Sequence, residues 1–242
     1  MRFISRLDIK NDLLIKSISF DGVKKIGNPE IFSNKYYKNG IDEIMLINNT
    51  GSLYGTKLNP ELVKKIRSNK NCPISAGGGI DCLNDAISLN NSGADKIVLN
   101  SLIHKNEIES KKIIDYLGGS SVIGAIQTKK IGDEFKTFYE MSREYSGKNL
   151  NQTIEKYIEI GVGEILITSI EDDGCYSGLN KGITKICEDY VKDYPILISG
   201  GLINEMCLSE LNKDISGIVI SSSLHYEKFD YKNFLKIKKK YD

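Results

Sequence analysis

Short apolar runs alternate with amphipathic stretches along the whole chain. Eight runs rich in Ile, Val and Leu predict strands at residues 3–9, 43–48, 73–76, 96–100, 121–126, 164–168, 195–199 and 217–221. Near-continuous apolar runs of this kind suit parallel strands covered on both faces. Between them, helical spacing predicts helices at residues 29–39, 60–69, 82–92, 106–117, 152–160, 181–191, 206–211 and 232–239. Pro29 and Pro60 fit a first helical turn, where a missing N–H costs nothing. Eight strand–helix units in 242 residues predict an α/β fold of the (β/α)8 TIM-barrel type. A doubly wound open sheet is the alternative, but no dinucleotide-type glycine fingerprint follows the first strand. Residues 131–147 are long for a βα connection and read either as a β excursion over the active face or as a mobile lid.

The chain also repeats itself. Residues 41–47 (Ile-Asp-Glu-Ile-Met-Leu-Ile) match residues 162–167 (Val-Gly-Glu-Ile-Leu-Ile), and residues 74–78 match 197–201, each ending in Gly-Gly. Residues 96–101 parallel 217–222. Glu43 and Glu164 stand 121 residues apart, as do Ser101 and Ser222. This periodicity predicts two half-barrels, at about 1–120 and 121–242, within a single domain spanning 1–242. No low-complexity linker divides them.

Composition narrows the possible functions. Lys and Arg total 33 against 32 Asp and Glu, so the net charge of +1 offers no electrostatic ground for binding nucleic acid or an acidic membrane. No apolar run reaches the roughly 18 residues of a membrane span. The chain enters its first strand without a signal-peptide core. Five cysteines, an odd number with no C-x-x-C pair, argue against a disulfide framework or zinc site and for a cytoplasmic setting. With His104 and His225 the only histidines, neither a metal nor another cofactor is expected.

Candidate chemistry lies at both ends of the expected barrel. Gly77-Gly78-Gly79 follows the third strand and Asn100-Ser101 the fourth; Gly200-Gly201 and Ser221-Ser222 follow the seventh and eighth. Glycines let backbone N–H groups approach an anion, and the following helix N-terminus favours negative charge. Either these are only tight turns, or they are two phosphate sites for a ligand phosphorylated at both ends. Asp8, ending the first strand, would point into the barrel mouth as a general acid or base, unless it merely bonds a loop. Lys16, in an expected polar loop, would fold over a phosphate or be solvated. Asp173-Gly174, after the sixth strand, is by itself an ordinary turn. At the other end Arg2, Glu43, Lys96 and Glu164 begin the first, second, fourth and sixth strands. Pointing outward they are ordinary surface charges; pointing inward they form a ring that closes the floor and gates a small polar molecule.

These residues resemble the cyclase subunit of imidazole glycerol phosphate synthase, the HisF family, over nearly the whole length. The resemblance is carried by residues 6–10 (Arg-Leu-Asp-Ile-Lys), 76–80 (Ala-Gly-Gly-Gly-Ile) and 93–101 (Gly-Ala-Asp-Lys-Ile-Val-Leu-Asn-Ser). It continues through 163–170 with Asp173-Gly174, and through 198–201 (Ile-Ser-Gly-Gly). The related isomerase of histidine synthesis, HisA, shares the half-barrel repeat, but Glu164 and the four floor charges favour the cyclase. The resemblance implies a glutaminase partner, HisH-like, docked on the N-terminal barrel face. Ammonia would pass Arg2, Glu43, Lys96 and Glu164 and travel through the barrel. It would then attack a bisphosphorylated ribulosyl-formimino nucleotide, giving imidazole glycerol phosphate and an aminoimidazole nucleotide. The family's first catalytic aspartate falls on Asp8 and its mobile-loop lysine on Lys16. Its phosphate-binding positions fall on Gly79, Asn100, Ser101, Asp173, Gly174, Gly201 and Ser222.

Two positions depart from the family pattern. Gln127 stands where the second catalytic aspartate is expected, and an amide cannot exchange a proton near neutral pH. Asn48 replaces an aspartate on the second strand. Two readings follow: a cyclase carried by Asp8 with Gln127 as hydrogen-bond donor, or a diverged paralogue. The latter would conduct ammonia, with a glutaminase and a sugar amidotransferase, toward acetamidino groups on surface sugars.

Overall fold

The structure, a computed structural model, describes residues 1–68 and 70–241. Its strands are β1 (Arg2–Lys10), β2 (Leu13–Ile18), β3 (Asp21–Gly27), β4 (Glu43–Ile47), β5 (Ile74–Gly77) and β6 (Lys96–Leu99). They continue as β7 (Val122–Ile131), β8 (Glu134–Tyr139), β9 (Glu144–Asn149), β10 (Glu164–Ser169), β11 (Ile196–Ser199) and β12 (Gly217–Ile220). Eight of them pair in parallel, in the order β1-β4-β5-β6-β7-β10-β11-β12, and β12 returns to β1. The sheet closes, giving the expected TIM barrel, and each of the eight predicted strands is one of its staves.

Burial on both faces explains why these strands read as apolar runs. Inside the barrel Ile4, Met45, Val98, Ile123, Leu166, Leu197 and Val219 form one packed layer. The opposite side chains join a much larger core beneath the helices, with Phe3, Tyr36, Tyr157 and Phe234 fully buried. Helix starts follow capping chemistry. The Asn28 side chain accepts from Glu30 N ahead of Pro29, and Asn59 accepts from Glu61 N ahead of Pro60. No described helix is long and apolar enough to cross a membrane.

Some boundaries differ from expectation. The helix expected at 60–69 ends at Arg67, and Asn69 lies outside the described residues. The segment expected as an α-helix at 206–211 is a 3-10 helix, Glu205–Glu210, a form that short capped turns commonly take. Lys16 is not in a polar loop. It sits on β2, which pairs antiparallel with β1 through Asp8 and Ile15 and is itself covered by β3. Residues 131–147 adopt the β excursion: β7 runs on past the barrel and folds back through β8 and β9. The polar run Gln127-Thr128-Lys129-Lys130 hid this extension: all four residues pair with β8, and only Gln127 and Thr128 pair with the barrel strand β10 as well.

Candidate active site

Strand alternation carries the site. Even-numbered residues of β1 face the barrel interior, so Arg2, Ile4, Arg6 and Asp8 are stacked along the axis from floor to mouth.

At the floor the four charges converge. Arg2 donates from Nη1 to Glu43 Oε2 and from Nη2 to Glu164 Oε1, both at 2.7 Å. Lys96 Nζ donates to Glu164 Oε1 at 2.6 Å, and Ser75 Oγ donates to Glu43 Oε1 at 2.7 Å. Three of the links of a ring are thus made, with Ser75 standing between Glu43 and the fourth. Glu164 Oε2 is buried with no hydrogen-bond partner. Burial pushes the Glu43 carboxyl above its ordinary value, and the Ser75 bond and the charges of Arg2 and Lys96 only partly offset that.

At the mouth a second set of charges forms a ladder. Arg6 Nε donates to Asp8 Oδ1 at 2.8 Å, Lys16 Nζ lies 3.6 Å from Asp8 Oδ2, and Lys16 donates to Asp173 Oδ2 at 2.7 Å. Burial alone would raise the Asp8 carboxyl. The charges of Arg6 and Lys16, with the Arg6 hydrogen bond, outweigh it and hold Asp8 below the usual carboxylate range. A carboxylate held ionised in this way stabilises positive charge and has no proton to donate near neutral pH, and the same shift makes it a weaker base, able to take a proton only from a strongly acidic group.

Two cavities open at this end. Gly79, Asn100, Ser101 and Gln127 line the first, together with Arg6 and Ser52. Asp173, Gly174, Gly201 and Ser222 line the second, smaller one. The glycine turns that shape them are near copies. Gly79 has φ +74° and Gly201 φ +83°; a Cβ would lie 2.0 Å from the Thr56 carbonyl oxygen in one and 2.0 Å from the Gly178 carbonyl oxygen in the other. Only glycine lets the chain pass so close. A third groove beside the second cavity is lined by Lys16, Gly174 and Ser222 with Tyr176 and Lys228.

The two departures have distinct local causes. Asn48 Nδ2 donates to the Thr56 carbonyl at 3.2 Å, the oxygen that crowds Gly79, and Asn48 Oδ1 accepts from Thr50 Oγ1. A carboxylate there would face that carbonyl without a proton to offer. Gln127 Oε1 accepts from the Ser142 N–H at 2.7 Å, in the turn where Glu140, Met141 and Ser142 all have positive φ. Its amide is left as a donor at the cavity wall.

Sequence reasoning assigned no role to Arg6 or to the group behind Ser221. Tyr36 Oη meets His225 Nδ1 at 2.6 Å, and His225 Nε2 meets Ser221 Oγ at 3.1 Å. Burial, then the Lys16 charge, pushes His225 down to about 3, so the ring is neutral at physiological pH. The period-2 pattern of β1, extended from Arg2 and Ile4, could have placed Arg6 inside the barrel. Nothing comparable pointed to Tyr36, which approaches from a helix remote in sequence.

The family model described as "Histidine biosynthesis protein" matches residues 2–230. The chain is 33% identical over 203 residues to a Legionella pneumophila protein named imidazole glycerol phosphate synthase subunit HisF, covering 84% of this chain and 95% of the relative. Relatives of the same name from Pyrococcus furiosus and Clostridium botulinum are each 30% identical. The first covers 94% of this chain and 91% of the relative, the second 97% and 94%.

Proposed function

Because this chain belongs to the histidine biosynthesis protein family, in its HisF branch, we propose that it is the cyclase subunit of an imidazole glycerol phosphate synthase. A glutaminase partner docks on the floor face and releases ammonia there. The ammonia passes Arg2, Glu43, Lys96 and Glu164, crosses the apolar layer of the barrel and meets a bisphosphorylated ribulosyl-formimino nucleotide at the mouth. The observation that carries this reading is the arrangement of one axis: an inward-turned charge cluster at one end and two matched glycine cradles at the other. The unpartnered, buried Glu164 Oε2 supports it further, since it is an acceptor suited to an N–H of ammonia.

In this reading Gly79, Asn100 and Ser101 hold one phosphate, and Gly174, Gly201 and Ser222 hold the other. Asp173, on the wall of the second cavity, and Lys16, which donates to it from the adjoining groove, complete that second phosphate site. Asp8, kept as a carboxylate, takes the proton released as ammonia adds to the guest, and the Gln127 amide orients the guest by donating to it. The matched glycine turns also support the reading of the chain as one domain of two half-barrels.

A second reading is favoured by one observation: Asp8 is neutralised by Arg6 while Gln127 replaces its acidic counterpart. The barrel would then conduct ammonia to a separate sugar amidotransferase without closing a ring itself.

Turnover of the bisphosphorylated nucleotide with free ammonium salt decides between them. The cyclase predicts measurable product, a loss of about 10²–10⁴ in rate for Asp8→Asn, and a gain for Gln127→Asp. No product at saturating ammonia from a folded protein that still stimulates its glutaminase rejects the cyclase and leaves the conduit.

A further inference from the structure

We propose that Arg6 is a ligand-binding residue of the first cavity, presenting a free guanidinium edge to the phosphate oxygens of a phosphomonoester seated against Gly78, Gly79 and Ser101. The proposal rests on the reading of this mouth as a phosphate-binding face and adds to it the group that recognises the charge.

Arg6 is 5% exposed, and the surface it retains lines the cavity. Nε is committed to Asp8 Oδ1 at 2.8 Å and Nη2 to Asn49 Oδ1 at 3.2 Å, whereas among the described residues Nη1 has no hydrogen-bond partner. The plane of the fork is held from one side by the Phe20 ring, whose centroid lies 5.6 Å from Cζ. A buried guanidinium with unused N–H groups facing an open cavity is costly until an acceptor arrives.

The rest of the lining makes the class of acceptor specific. Among the described residues around this cavity Arg6 alone carries a formal charge; the other polar groups are amides, hydroxyls and the glycine backbone. Neutral donors bind an anion weakly without a cation beside them, and a guanidinium matches two phosphate oxygens at once. Since Arg6 does not release a proton near neutral pH, it binds and orients and takes no part in proton exchange. Asp8 then acts on the guest partly through Arg6, as the group that positions the fork.

Full-length protein labelled with 15N and titrated with inorganic phosphate tests this, with dissociation constants read separately at the Gly79 and Gly201 amides. Arg6→Gln is expected to weaken binding at Gly79 by roughly 10- to 100-fold, the range for charge-assisted hydrogen bonds, and to leave Gly201 unchanged. Arg6→Lys, which keeps the charge and loses the fork, falls between. Because Arg6→Gln strands a buried carboxylate, the double variant Arg6→Gln/Asp8→Asn supplies a neutral pair of similar shape; it should show the same loss. Asp8→Asn alone removes the competing anion, and phosphate should bind more tightly at Gly79. Equal affinity at Gly79 in the parent and the double variant overturns the proposal, as does weaker binding in Asp8→Asn. A parent that binds no phosphate at Gly79 overturns it together with the phosphate reading. A parent that binds phosphate through Arg6 but turns over no nucleotide upholds it while the cyclase reading fails.

Discussion

The floor and the mouth of this barrel hold the same inventory, two cations and two anions, in different surroundings. At the floor the side chains of Arg2, Lys96 and Glu164 are 30%, 18% and 12% exposed, and only Glu43 is fully covered. At the mouth Arg6, Asp8, Lys16 and Asp173 are all at most 6% exposed. The floor carboxylate Glu43 is left short of compensation and its pKa rises; the mouth carboxylate Asp8 is overcompensated and its pKa falls. Each end keeps one buried carboxylate oxygen without a hydrogen-bond partner, Glu164 Oε2 at the floor and Asp8 Oδ2 at the mouth, so the two ends differ in exposure and in the balance of charge around Glu43 and Asp8. On the proposed reading, the more exposed floor lets a small polar molecule through and the enclosed mouth holds an anionic guest.

The largest test of this contrast is to remove one cation from each end. Lys16→Met should destabilise the fold by about 3–5 kcal/mol, since it leaves two buried carboxylates facing each other's field. Lys96→Met should cost about 1 kcal/mol or less, because Glu164 keeps Arg2 and the Lys96–Glu164 pair is partly exposed. Urea unfolding of both variants measures this, and equal costs would erase the distinction.

Next comes the sign of the pH dependence. Asp8 is lowered in the folded state, so its contribution is present above about pH 4 and is lost on further acidification; Glu43 is raised, so its contribution is present below about pH 4 and lost as pH rises. Stability of the parent relative to Asp8→Asn should therefore fall toward low pH. Relative to Glu43→Gln it should fall toward neutral pH. Slopes of the same sign would mean that the two ends are electrostatically alike.

The smallest effect is that of salt. Raising ionic strength from about 0.1 to 1 M shortens the screening length from about 10 to 3 Å. The cost of Lys96→Met should shrink by a few tenths of a kcal/mol, while that of Lys16→Met stays constant. Parallel urea titrations at the two ionic strengths separate a screened pair from a buried one.

The legibility of the chain divides along a similar line. All eight barrel strands could be placed from apolar runs, because each is covered on both faces and must be apolar to be so. The strands β2, β3, β8 and β9 could not be placed one by one, since β3 and β9 are largely exposed and pair only with β2 and β8, while β2 and β8 pair with the ends of β1 and β7 that run past the apolar runs. Lys16 illustrates the consequence: its neighbours read as a polar loop, yet β3 covers the strand and Asp173, 157 residues away, supplies the counterion. Gln127 was recognised as a departure at the residue level, but that its carbonyl is taken up by the Ser142 N–H depends on how the excursion folds back.

What the residues determined unaided was the barrel and the ends at which its candidate residues gather, because strand spacing, side-chain alternation and the need for glycine at crowded turns are local rules that each segment obeys by itself. Only the closed structure decided which charge meets which. That Arg6 faces Asp8, that Asp173 reaches Lys16 and that Glu43 finds Ser75 follow from contacts across strands and hairpins far apart in the chain. The strength of each such pairing is set by how much water the assembled protein excludes, which no single segment encodes.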